Sequence, residues 1–167
     1  ATSSPRGTSA TGVLYVGCVD KRFFDMVNYA LCSALSDLLG RPVAERIFRK
    51  AGEVLYQELK RRGIVAPSED PAKVMEQVAR FLESSGYVER IEIERVSEEE
   101  LVVDMKGVSV LESSMRLVNE RKEPSHIMTN TMFAALKEAG YEAELEELLF
   151  DPEANRARER WKLRKKG

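Results

Sequence analysis

The sequence predicts an α+β fold in which N-terminal helices pack on a four-stranded antiparallel sheet of ββ-α-ββ order. Three observations in the C-terminal half support this prediction. Residues 90–96 (RIEIERV) and 100–105 (ELVVDM) alternate apolar and polar side chains, as the strands of a half-buried hairpin do. A second hairpin is indicated by residues 143–150 (AELEELLF) and 158–163 (RERWKL). Alternation along the first of these segments predicts Ala143, Leu145 and Glu147 on one face and Glu144, Glu146 and Leu148 on the other. Residues 125–139 (SHIMTNTMFAALKEA), between the two pairs, favour a helix.

Length and composition limit the class of protein. The chain has 167 residues, 43% of them hydrophobic, which fits one domain over residues 13–167. Lys+Arg 26 against Asp+Glu 28 leaves no basic excess for nucleic acid. No apolar run approaches the ~20 residues of a membrane span. Residues 1–12 are polar, so we expect them to be disordered. Because this stretch lacks the apolar segment of a secretory signal, we expect a cytoplasmic protein.

Two helices are predicted in the N-terminal half, after a short strand or extended lead-in at residues 13–16. Asp20 is placed to cap the first helix, which ends at Gly40. Its apolar residues recur at helical spacing and are predicted to face a core: Phe23, Met26, Val27, Ala30, Leu31, Ala34, Leu35 and Leu38. The second helix covers residues 42–62, and its predicted buried side is Val43, Ile47, Ala51, Val54, Leu55 and Leu59.

Gly52 lies in the middle of the second helix, where glycine costs ~1 kcal/mol relative to alanine. Close packing of another helix is the favoured explanation, and room for a ligand is the alternative. A third helix is predicted from Pro71, capped by Asp70 and ended by Gly86.

The segment around the second hairpin is less regular. Ser109-x-x-Glu112 matches a capping box and predicts a short helix near residues 110–120, and Ser125 is placed to cap the helix that follows. The many Glu and Leu residues of 143–150 also suit a helix. We favour a strand because Gly140 precedes the segment and Asp151-Pro152 follows it.

The sequence contains no recognisable catalytic motif. Cys18, Cys32 and the single histidine, His126, cannot supply a closed Cys/His zinc site without carboxylates, so we expect no metal. Glycine-rich phosphate loops and the common nucleophile and metalloprotease motifs are lacking. We therefore predict no catalytic residue, and the sequence identifies no cofactor. His126, at a helix start, is expected to be structural or exposed.

Methionine usage favours either a ligand pocket or an ordinary core. Met26, Met105, Met115, Met128 and Met132 are spread along the chain and are expected to converge with Tyr29, Phe133 and Trp161. Such soft side chains suit an apolar pocket, but for any one of them an ordinary place in the core is the favoured explanation.

Three segments carry a resemblance to a known family. The segment LGRPVAERIFRKAGEVLYQEL, with Leu39-Gly40, Phe48 and Gly52, is similar to that family's helix pair. SSGYVERIEIERVSEEELVVDM is similar to its first hairpin. EPSHIMTNTMFAALKEAGYEAELEE is similar to its Cys-His-x-x-x-Gly helix, with Ser125 replacing the cysteine, His126 matching and Asn130 near the glycine. Over residues 19–163 the chain resembles the 4-vinyl reductase (hydrocarbon-binding) domain family, which shares its architecture with TRAPP-complex subunits and, more distantly, with haem nitric-oxide sensors.

The departures from the family pattern matter as much. The chain has no cysteine after Cys32, so a metal or redox role tied to cysteines of the last hairpin is not expected. It has no histidine before His126, which argues against haem held as in the sensors.

The resemblance implies a non-enzymatic domain that binds or senses an apolar or lipid-like small molecule. The charge balance and the lack of a long apolar run predict no nucleic-acid partner and no membrane span. We expect a homodimer formed through the first two helices, which carry the large apolar side chains Phe23, Phe24, Tyr29 and Tyr56. The predicted ligand-binding residues are Tyr29, Cys32, His126, Met128, Met132 and Phe133.

Two other functions remain open. One is an assembly or tethering subunit like the TRAPP proteins, with no ligand, and the other is an enzyme of tetrapyrrole metabolism. An apolar cavity of several hundred Å3 would favour ligand binding. A filled core with an exposed apolar patch would favour tethering, and a cleft holding His126 and a carboxylate would favour the enzyme.

Overall fold

The structure, a computed structural model, describes residues 18–167. It confirms the α+β class, with helices before and between two hairpins. The predictions for residues 1–12 and 13–16 lie outside the described residues. The elements are α1 (Lys21–Leu39), α2 (Arg41–Arg61), α3 (Pro71–Ser84), β1 (Val88–Ser97), β2 (Glu100–Val108), α4 (Leu111–Asn119), α5 (Ile127–Glu138), β3 (Tyr141–Asp151) and β4 (Arg156–Lys165).

Both predicted hairpins form, and they join into one antiparallel sheet of order β1-β2-β4-β3. The Glu-rich segment that also suited a helix is strand β3. Its glutamates favour the strand because several of them lie opposite basic residues of β4, and opposite charges on neighbouring strands stabilise the pairing. The pairs are Glu142–Arg164, Glu144–Lys162 and Glu147–Arg160.

A β-bulge interrupts β3. The register against β4 shifts between Leu145 and Glu147, which leaves Glu146 as an extra residue. The predicted alternation, which put Leu148 on the face opposite to Leu145, is therefore wrong beyond the bulge. Directly opposite residues share a face, so four apolar residues, two on each side of the bulge, lie on the inward face of the sheet, while Leu149, opposite Arg158, lies on the outer face. The cross-strand pairs are Ala143–Leu163, Leu145–Trp161, Leu148–Glu159 and Phe150–Ala157.

The main core lies between the inward face of the sheet and helices α2, α3 and α5. Its largest fully buried side chains include Trp161, Tyr56, Met75, Ile91, Leu101, Met132 and Leu136. A smaller cluster of Cys32, Ala44, Phe48 and Leu117 joins α1, α2 and α4.

Helices α2 and α5 approach closely at Gly52. A Cβ built there would lie 2.5 Å from the carbonyl carbon of Asn130 and 2.6 Å from its oxygen. Those atoms belong to the backbone of α5 and cannot move without shifting that helix. The contact supports helix packing, rather than room for a ligand, as the reason for this glycine.

Two of the four predicted helix caps, Asp20 and Asp70, are confirmed. A carboxylate oxygen of Asp20 accepts from the N–H of Arg22 at 2.8 Å, and Asp70 accepts from Ala72 at 3.0 Å. The capping box at Ser109 is wrong, because α4 begins after Val110 without a side-chain cap. The Ser125 cap is wrong too.

The hydroxyl groups of Ser125 and Ser109 do not cap a helix. The Ser125 hydroxyl donates to Asn28 Oδ1 at 2.9 Å, which ties α5 to α1. The buried Ser109 hydroxyl finds no hydrogen-bond partner among the described residues.

Most of the predicted apolar stripe of α1 does not face a core, although Leu35 packs against the smaller cluster. Of its 19 residues only Cys32 is fully buried, while Leu38 is 82% exposed and Met26 is 66% exposed. On α2 Leu59 is buried as predicted, but the rest of the buried side is shifted by one position from the prediction, to Ala44, Phe48, Gly52 and Tyr56. Across residues 18–167, no helix is both long enough and apolar enough to traverse a membrane.

Candidate functional site

An apolar cavity of about 330 Å3 opens between the sheet and the helices that join the two hairpins. This volume is at the small end of the ~300–1,000 Å3 typical of ligand pockets. Strands β2, β3 and β4 form one side, and α4 with the start of α5 forms the other. Its apolar wall includes Met105, Val108, Leu111, Met115, Val118, Met128, Leu148, Phe150 and Ala157.

The β3 bulge builds part of this wall. Without the extra residue Glu146, the side chains of Leu148 and Phe150 would point to the outer face of the sheet. With it, both line the cavity beside Ala157. Bulges commonly re-aim side chains next to functional sites.

Glu159 is the polar exception in the wall. It lies on the inward face of β4 and is 3% exposed. One carboxylate oxygen, Oε1, accepts from the hydroxyl of Thr129 at 3.0 Å, and the other, Oε2, accepts from the indole N–H of Trp161 at 2.8 Å. Burial raises the pKa of the Glu159 carboxyl, although both hydrogen bonds act in the opposite direction.

His126 lies at the rim of the cavity and precedes α5 in a left-handed conformation (φ 45°). Desolvation lowers the pKa of its imidazole, against the attraction of Glu123. Its Nε2 is 3.9 Å from Glu123 Oε1, which is too far for a hydrogen bond. Glu123 is instead bound by Arg41 at 2.9 Å. Desolvation thus favours the neutral imidazole, and within residues 18–167 no carboxylate is hydrogen-bonded to it to orient it as a general base.

Two of the six predicted ligand-binding residues, His126 and Met128, line the cavity. Met132 lies in the main core with no exposed surface. Phe133 packs on Trp161 with ring centroids 4.5 Å apart, and the guanidinium of Arg49 lies over the Phe133 ring, 5.3 Å from its centroid.

The other two residues lie on α1, away from the cavity wall. The Tyr29 hydroxyl donates to the carboxylate of Glu120 at 2.7 Å, and Arg116 stacks on its ring. Cys32 is buried in the smaller cluster, where desolvation raises the pKa of its thiol. Cys18 is exposed.

Sequence reasoning missed Glu159 and Thr129, although β4 contains a signal for the first. Its outward positions, Arg156, Arg158, Arg160, Lys162 and Arg164, are all basic. Its inward positions are Ala157, Glu159, Trp161 and Leu163, so the acid stands in the apolar register. An acidic residue in that register is a candidate for a buried, functional carboxyl.

The described residues offer no preformed metal centre. Within 18–167, no three side chains of the His, Cys, Asp or Glu type are clustered so that they could hold an ion.

Comparison with solved structures identifies the architecture. The chain superposes on the trafficking protein particle complex subunit 3 from Naegleria fowleri, covalently bound to palmitic acid, with a TM-score of 0.60. The match covers 87% of this chain and 96% of the other, at 14% sequence identity. The chain has a TRAPP-like fold. No protein-family model and no curated protein matches the sequence. The kinship with the 4-vinyl reductase family therefore stays a prediction.

Proposed function

We propose that this TRAPP-like chain is a non-enzymatic domain that binds one apolar or lipid-like small molecule in the 330 Å3 cavity. The observation that carries the proposal is the apolar wall, built from three strands and two helices and including Met105, Met115 and Met128. Methionine side chains adapt to the shape of an apolar ligand. The palmitic acid bound to the subunit from Naegleria fowleri is compatible with such a role.

A cavity-filling variant tests the proposal. Ser114 lines the cavity from α4, and its small side chain leaves space that Ser114→Phe would occupy. We expect the wild type to bind the fluorescent apolar probe N-phenyl-1-naphthylamine with one site, and Ser114→Phe to weaken binding at least about tenfold, since a ring fills a large part of the space.

Glu112→Phe is the matched control, because it adds the same ring on the exposed side of the same helix. It is expected to bind the probe as the wild type does. Equal loss in both variants, or no uptake by the wild type, would contradict the proposal.

We further propose that the domain forms a homodimer through α1 and α2. Large apolar side chains of both helices are exposed in the single chain: Phe23, Phe24, Met26, Leu31, Leu38, Leu39, Val43, Ile47 and Val54. A surface this apolar on a monomer is unusual and marks an interaction site. Tyr56, expected on this surface, is buried in the core and does not contribute.

The same face supports the second candidate, an assembly or tethering subunit, with a different protein covering it. The two candidates are not exclusive, since one uses the cavity and the other the helical face. For an enzyme, His126 and Glu159 share the cavity wall, but no hydrogen bond between His126 and a carboxylate exists in the described residues. Ligand binding is therefore the better-supported role for the cavity.

A further inference from the structure

We infer that the ligand of this cavity is a cationic amphiphile, with its apolar tail among the methionines and a protonated amine at the Glu159 carboxylate. The inference rests on the proposed function, because it names the chemical class of the molecule that the cavity takes. It follows from what surrounds Glu159.

Glu159 has hydrogen-bonding capacity to spare but no counter-charge. A carboxylate offers about four acceptor positions. Thr129 and Trp161 fill one on each oxygen, and both are neutral donors. Its neighbours across the ladder, Val103 and Leu148, are apolar. A buried charge without an opposite charge is costly, so the site is completed either by a proton or by a cation.

The cavity wall itself brings no cation. Among the described residues that form it, His126 and Glu159 are the ones that can ionise near neutral pH, and desolvation favours the neutral form of the imidazole. Lysine and arginine are not among these lining residues. A fatty carboxylate would thus meet Glu159 with no positive charge between them, and an alcohol would add only a neutral hydrogen bond. An ammonium group would supply both donors and charge.

A second opening that borders Glu159 also has more acidic than basic side chains. Glu159 also lines a surface groove between α2, α5 and β3, whose described lining includes the acids Glu45 and Glu144. The basic residues of that lining are Arg49 and His126, and desolvation favours the neutral form of the imidazole. Arg49 lies over the ring of Phe133, 5.3 Å from its centroid, and Glu123 in the same groove is already paired with Arg41. An excess of negative charge near the buried carboxylate favours the approach of a cation over an anion.

The test compares three ten-carbon probes that differ only in the head: decylamine, decanol and decanoate. Each probe is titrated at neutral pH, below its critical micelle concentration or, for decanol, below its solubility limit. Trp161, the one tryptophan of the chain, donates to Glu159 and reports binding by its fluorescence, with calorimetry as a second readout. We expect decylamine to bind the wild type about tenfold or more tightly than decanol, and decanoate to bind most weakly.

Glu159→Gln keeps the size of the side chain and removes the charge. It should bring decylamine to the affinity of decanol or below, with decanol changed less than about twofold. Glu112→Gln, which removes an exposed carboxylate on α4, should leave all three affinities unchanged. Ser114→Phe should weaken decylamine and decanol together, which assigns both to this cavity and does not depend on the folding of the Glu159 variant.

The outcomes separate the two proposals. If no probe binds the wild type, ligand binding by the cavity fails, and this inference fails with it. If the three probes bind equally, or if Glu159→Gln keeps the preference for the amine, ligand binding stands and the choice of a cationic head is overturned.

Discussion

Glu159 differs from its neighbours on the inward face of β4 because it is the acid among Ala157, Trp161 and Leu163. Thr129 and Trp161 hold both of its oxygens, so its side chain is fixed in place before any ligand arrives. A buried carboxyl of this kind has a cost for folding at neutral pH and a use in recognition. At the residue scale, it is the feature that distinguishes this cavity from an ordinary gap in a core.

The cost of Glu159 is measurable as a pH dependence of stability. Burial raises the pKa of its carboxyl in the folded state, so the folded state binds more protons than the unfolded state. Its stabilising contribution is therefore complete below the unfolded pKa and is lost as pH rises through the folded value. Glu159→Gln removes this loss, since an amide can still accept from Trp161 and donate to Thr129.

At pH 7 we expect Glu159→Gln to have a free energy of unfolding in urea that is higher than that of the wild type by on the order of 1 kcal/mol. This difference should disappear toward pH 4. Surface carboxylates such as Glu58, whose pKa Arg61 lowers to about 2, are common to both proteins and cancel in the difference. A difference that stays constant from pH 4 to 8 would show that this carboxyl does not titrate as described.

At the scale of elements, the sequence predicts the existence and type of every helix and strand in residues 18–167, and it predicts their faces less well. Alternation locates the hairpins because a half-buried sheet needs it. The bulge at Glu146 was not predicted, since an extra residue in a Glu- and Leu-rich strand leaves no mark of its own.

Helix α2 shows the second reason for failure. It carries two adjacent apolar stripes, one beginning at Val43 and the other at Ala44, and periodicity alone does not say which one is buried. The contact with α5 decides, because only the stripe that contains Gly52 lets the two backbones approach. Of the site, the sequence pointed to His126 and Met128, while Glu159 needed the strand register.

Gly52→Ala tests this contact. The added methyl group would meet the backbone of Asn130, so α5 must move away from α2. We expect a loss of about 1–3 kcal/mol in the free energy of unfolding, even though alanine is the better helix former. Arg46→Ala, at an exposed position of the same helix, should change stability by less than about 0.5 kcal/mol. Equal stability of Gly52→Ala and the wild type would mean that the helices are further apart than described.

At the scale of the whole molecule, the fold has two faces for which we propose functions. The cavity lies on the side of α4, α5 and the second hairpin, and the apolar face lies on α1 and α2. The small cluster around Cys32 and Leu117 joins α1 and α2 to α4, which lines the cavity. The proposed association through the helical face and the proposed binding in the cavity would therefore share one structural connection.

Leu38→Glu tests the helical face. Leu38 is 82% exposed, so the change should not disturb the folded chain, while a charge in an apolar interface should weaken self-association at least about tenfold. Light scattering after size-exclusion chromatography should report a dimer for the wild type and a monomer for the variant. Val96→Glu, at an apolar position of β1 that is 53% exposed, is the control and should remain dimeric. A wild-type monomer at high micromolar concentration would refute the homodimer.

Native mass spectrometry of the protein purified from its own host tests ligand binding most directly, because it weighs the folded protein together with whatever it retains. We predict that the wild type carries the added mass of one small apolar molecule per chain, that denaturation releases it, and that Ser114→Phe prepared in the same way lacks it. A wild type that has the bare mass of its polypeptide, and that gains no mass when decylamine or decanol is supplied, would contradict the account.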